Sequence, residues 1–136
     1  MSWPPTLNGR VRIPESLRPG GRGWGIGAAV LAILIGVVSL LPPRGTPGVE
    51  IADLGEVLAT IGHALAYALL GAFAVGAQIR PRLGTTLAIV IGYGIVLEIL
   101  QGVMGLRSFQ VGDIAANALG AVTGAVVMLR VRRTEV

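Results

Sequence analysis

Residues 24–41 read WGIGAAVLAILIGVVSLL, eighteen consecutive positions without a charge. As a helix at 1.5 Å per residue, this stretch is about 27 Å long, enough to cross the hydrocarbon core of a bilayer. Pro42 and Pro43 follow at once, and proline cannot continue a helix. A cleaved signal peptide would be shorter and would end in a small-residue cleavage pattern. This stretch lacks that pattern, and three more apolar spans follow it. We read it as a retained first helix.

The same reading downstream gives spans from about Val57 to Ile79, Leu83 to Met104 and Val111 to Leu129. Arg80-Pro81-Arg82 supplies a tight turn between spans two and three, and Gly105 to Gly112 connects three and four. Connections this short require antiparallel neighbours. Upstream, residues 1–22 are rich in Pro, Gly and Arg and are expected to form a disordered cytoplasmic tail. Residues 23–131 then form one transmembrane domain, and 132–136 a second short tail. The expected fold is all-α, an integral membrane bundle of four transmembrane helices.

Composition supports lipid as the solvent. The chain is 53% hydrophobic and only 13% charged, too few polar residues to cover a soluble domain of 136 residues. With no cysteine, disulfide frameworks and thiolate metal sites are excluded. The net charge of +4 does not indicate a nucleic-acid partner, because the arginines flank apolar spans rather than line one face.

Those arginines predict orientation. Arg10, Arg12, Arg18, Arg22, Arg80, Arg82, Arg130, Arg132 and Arg133 fall on one side, and only Arg44 and Arg107 on the other. Both termini are therefore expected in the cytoplasm. Glu50, Asp53 and Glu56 lead into span two, where acids suit the N-terminal dipole of a helix.

Small residues spaced by four mark packing seams, since lipid tails offer no hydrophobic drive between helices. They are Ala28, Ala32 and Gly36; Ala64, Ala68, Ala72 and Gly76; Gly84, Ala88 and Gly92; and Ala116, Gly120 and Gly124.

Polar residues inside spans are costly and mark partners or function. Span two holds His63 and Tyr67, span three Glu98 and Gln101, span four Asp113 and Asn117. Each pair is spaced by three or four residues and shares a helical face. With the spans alternating in direction, His63, Glu98 and Asn117 each lie about 9 Å below the outer surface. Arg107 can reach down from the connecting loop. One polar pocket in the outer half of the bilayer is the expectation, bordered by Gly62, Gly102, Gly105 and Gly112.

These residues carry a resemblance. Glu98-x-x-Gln101, then Arg107, Asp113, Asn117, Gly120 and Gly124, resembles the VanZ-like membrane protein family. Gly62-His63-x-x-x-Tyr67-x-x-Leu70-Gly71 looks like that family's other motif. One departure is local: members often carry an acidic-basic pair just before the His, where this chain has Ala59 and Thr60. The resemblance implies a multi-pass protein of a bacterial cell membrane, acting in cell-envelope processes. Its name-giving member is associated with resistance to the glycopeptide antibiotic teicoplanin.

Three readings of the polar cluster stand. In the first, Tyr67, Gln101, Arg107 and Asn117 bind the headgroup of a membrane lipid or a lipid-linked envelope intermediate, with Arg107 on the anion. In the second, an intramembrane hydrolase or transferase uses His63 as general base with Glu98 or Asp113. In a variant of this reading the same three residues hold a metal as one His and two carboxylates; spacing supports neither version strongly, for neither an HExxH pattern nor a Ser-centred elbow is present, and no cofactor or metal is assigned. In the third, the protein is a structural or accessory subunit and the cluster only locks the helices together. Oligomeric state is not readable.

Overall fold

The computed structural model describes residues 18, 20–41, 52–78, 82–106 and 110–134. Among them the chain forms four α-helices: α1 (Arg22–Ser39), α2 (Ala52–Gly76), α3 (Leu83–Val103) and α4 (Val111–Thr134). All four are long and apolar enough to cross a membrane. Their outward faces carry exposed aliphatic side chains, among them Ile33, Leu65, Ile89, Val103 and Leu119, as lipid-facing surfaces require.

The helices extend beyond the apolar windows that announce them. α2 begins at Ala52, five residues before Val57, so Asp53 and Glu56 fall within its first turns. α4 runs past Leu129 to Thr134 and takes in Arg130, Arg132 and Arg133. Hydropathy finds the part of a helix that lipid covers, whereas backbone hydrogen bonding continues into the interface. Most of the expected N-terminal tail, the Pro42-Pro43 stop, Arg80 and Pro81 lie outside the described residues.

α2 and α4 run parallel and form the closest pair in the bundle. Gly120 of α4 lies against the backbone of Ala64, and Gly124 against that of Ala68. Gly71 of α2 lies in turn against the backbone of Ala121. A Cβ at any of the three would overlap a carbonyl oxygen, so the two backbones meet only because no side chain intervenes. The α3 seam is different. A Cβ at Gly84 or Gly92 meets nothing within 4 Å, and among the described residues no other helix closes on that stripe.

α1 is antiparallel to α2 and is pinned to it at one end by two reciprocal insertions. The Trp24 ring covers Gly76, and the Phe73 ring covers Gly27. The two rings pack against each other with centroids 5.1 Å apart. At the same end of the bundle, Gln78 Nε2 donates to Thr86 Oγ1 at 2.6 Å, tying α2 to α3. Arg132 Nη1 donates to the carbonyls of Val75 and Gln78 at 3.0 and 2.7 Å. It caps carbonyls at and just beyond the C-terminus of α2, the end of a helix that a cation suits best.

Candidate functional site

The other end of the bundle joins the N-terminal halves of α2 and α4 to the C-terminal part of α3. α3 ends in a Schellman turn. Gly105 takes φ 66°, a left-handed value that glycine adopts without penalty. Leu106 N–H bonds Gln101 O at 3.1 Å and Gly105 N–H bonds Gly102 O at 3.2 Å. The chain then returns close enough for Gln110 N–H to donate to Glu98 Oε1 at 3.0 Å, just before α4 begins.

His63, Glu98 and Asp113 meet here. One ring nitrogen and one oxygen from each carboxyl lie within 4.8 Å of one another. Glu98 is 1% exposed and Asp113 0%; His63 is half-buried. Three helices therefore deliver one chemically reactive group each to a single point. Asn117, one turn beyond Asp113 on α4, places its Oδ1 3.2 Å from His63 Nδ1. With an amide oxygen as acceptor, Nδ1–H is the donor of this bond. Thr60 Oγ1 donates to Asp113 Oδ1 at 3.0 Å.

Gln101 and Tyr67 take a different direction. Gln101 is one turn from Glu98 yet reaches α1, donating from Nε2 to Ser39 O at 2.7 Å. It thereby satisfies one of the carbonyls left open at the α1 C-terminus. Tyr67 is buried, with its ring against Gly94. A second tie holds α1 to α3, where Tyr93 donates to Ala32 O at 2.6 Å across Gly36.

Between α1, α2 and α3 these contacts leave a cavity of about 510 Å³. Leu34, Ile35 and Val38 of α1, with Leu41 just beyond it, form its apolar wall, and Ala59, Gly62 and Ala66 of α2 the wall opposite. Ser39, His63, Tyr67 and Gln101 are its polar members, while Glu98, Asp113 and Asn117 are not part of the lining. His63 thus belongs to both features: its ring borders the cavity and joins the buried acids behind it.

Of the residues singled out from sequence, six are placed here. Arg107 lies outside the described residues. Gly120 and Gly124 lie further along α4, in the seam with α2. Three contributors were not anticipated. Thr60 stands three residues before His63 and so on its face, a spacing that offered a signal. The Ser39 carbonyl and the Gln110 amide are backbone groups, for which the sequence gives no cue.

No match was found among curated proteins or among solved structures. A family model described as VanZ/LLP1 matches residues 25–132, which span all four helices and both polar motifs. The chain belongs to the VanZ/LLP1 family.

Proposed function

We propose that this VanZ/LLP1 protein binds an amphiphilic envelope ligand, a lipid or lipid-linked intermediate, within the extracytoplasmic half of the cell membrane. The observation that carries this reading is the cavity between α1, α2 and α3. Its size falls within the range of small-molecule sites, about 300–1,000 Å³. Apolar walls with His63, Tyr67 and Gln101 among them suit a ligand with a hydrocarbon part and a hydrogen-bonding head. Such a volume accommodates a headgroup and the start of a chain, with the remainder lying in the bilayer. Arg107 supplies the cation for an acidic head, since guanidinium engages phosphate or carboxylate bidentately.

The distribution of arginine, nine against two, supports placing this end of the bundle outside the cytoplasm and both termini inside. Because the chain has no cysteine, Leu106→Cys gives a single label site. Labelling by a membrane-impermeant maleimide in intact cells is the expected result; labelling only after disruption would reverse the orientation. In this reading the protein acts in envelope processes, and altered teicoplanin susceptibility on its loss is the cellular readout.

Native mass spectrometry of the gently extracted protein tests the ligand. Bound lipid should accompany the wild type and be lost in Gln101→Leu and Arg107→Ala. A wild type free of lipid, with full activity in the cell, would favour a purely structural role for the cluster.

A further inference from the structure

We propose that His63, Glu98 and Asp113 form a binding site for a divalent first-row transition metal, zinc or manganese by their chemistry, behind the wall of the cavity. Three kinds of observation carry it. The donor set is one imidazole nitrogen and two carboxylate oxygens, each from a different helix, within 4.8 Å of one another. Side-chain shifts of about 1 Å bring such a set to the ligand distances of about 2.0–2.2 Å that these ions take.

The supporting hydrogen bonds are those a metal site requires. A histidine that ligates a metal through Nε2 almost always donates Nδ1–H to a fixed acceptor, and Asn117 Oδ1 stands 3.2 Å from His63 Nδ1. Each carboxyl is in turn oriented by a neutral donor, Gln110 N–H on Glu98 and Thr60 Oγ1–H on Asp113. Neither of these two donors neutralises the carboxyl it orients.

Burial supplies the third. Glu98 and Asp113 are 1% and 0% exposed and lie in a bundle surrounded by lipid. Two carboxyl groups held this close in a medium of low dielectric repel each other when ionised, and positive charge between them relieves that repulsion. A divalent ion supplies that charge at one point, in contact with both acids and the imidazole. The nitrogen ligand disfavours calcium and magnesium, which select all-oxygen sites. His63 also borders the cavity, so the ion would sit beside the ligand head and offer it a Lewis-acidic contact.

The full chain carrying a tag without histidine, reconstituted in lipid nanodiscs, is dialysed against zinc or manganese and then washed. Metal is measured by inductively coupled plasma mass spectrometry. About one equivalent is expected in the wild type, falling at least tenfold in His63→Ala and in the isosteric Glu98→Gln and Asp113→Asn. Should a variant fail to fold, zinc-edge X-ray absorption on the wild type decides. One nitrogen and two carboxylate donors support the site, and a shell of water or lipid phosphate alone overturns it. Less than a tenth of an equivalent in folded wild type also overturns it, and means that protons or Arg107 neutralise the acids. Lipid retention is scored on gently extracted protein before reconstitution, so failure of the metal site leaves the ligand reading separately measured.

Discussion

Thr60 on α2 donates its hydroxyl to Oδ1 of Asp113 on α4 at 3.0 Å, across 53 residues of sequence. The bond lies at the mouth of the closest helix pair in the bundle. One turn further in, His63 and Asn117 join the same two helices. Thr60 occupies the second of two positions where the family resemblance leads one to expect a charged pair. In this chain a neutral hydroxyl stands there instead, and it orients a fully buried acid.

Thr60→Val keeps the shape of the side chain and removes the donor. The lost bond to a buried carboxyl should cost about 1 to 2 kcal/mol, near the upper end of interhelical bonds measured in membranes. Thr60→Ser should retain most of the stability. Reversible unfolding in mixed micelles measures both, and equal stability of wild type and Thr60→Val would show that the bond orients Asp113 without stabilising the fold.

The α2–α4 seam leads to a contrast between glycines. At Gly120 and Gly124 an added Cβ would overlap backbone oxygens of α2, which cannot swing aside as a flexible side chain can. Alanine at either position should separate the helices and cost about 1 to 3 kcal/mol, the usual range for overpacking. Gly84→Ala and Gly92→Ala meet open space and should be neutral or slightly stabilising, since alanine is the better helix former. Thermal denaturation of the four variants checks this, and a loss at Gly84 or Gly92 as large as at Gly124 would point to a contact outside the single chain.

Sequence made the four spans legible because uncharged apolar runs of about eighteen residues or more match the thickness of a bilayer and exceed what the core of a small soluble domain needs. It also placed His63, Glu98 and Asn117 at one depth, since rise per residue is fixed once spans alternate in direction. Depth says nothing about rotation around the helix axis, and rotation separates the two features of this site. Gln101 is spaced from Glu98 by three residues, yet one reaches toward α1 and the other toward the start of α4. The small-residue seams show the same limit. Ala116, Gly120 and Gly124 look no different in sequence from Gly84, Ala88 and Gly92, and only the rotation of each helix decides which stripe meets a neighbour. The sequence led to a pocket among the polar residues of spans two to four, but not to α1 as the apolar wall of the cavity, since nothing in the sequence of α1 tells which face meets α2 and α3.

Filling the cavity tests its role with little disturbance to the buried acids. Gly62 and Ala59 line it a turn apart on α2, and a Cβ at Gly62 meets nothing within 4 Å. The double variant Ala59→Phe with Gly62→Leu puts bulk into that space while leaving His63, Glu98 and Asp113 in place. Removing a glycine from a helix interior is worth up to about 1 kcal/mol, so stability should be unchanged or higher. Co-purifying lipid, quantified by native mass spectrometry, should fall at least fivefold. Lipid held at wild-type levels by a stable, filled variant would move the binding site out of the cavity and onto the outer surface of the bundle.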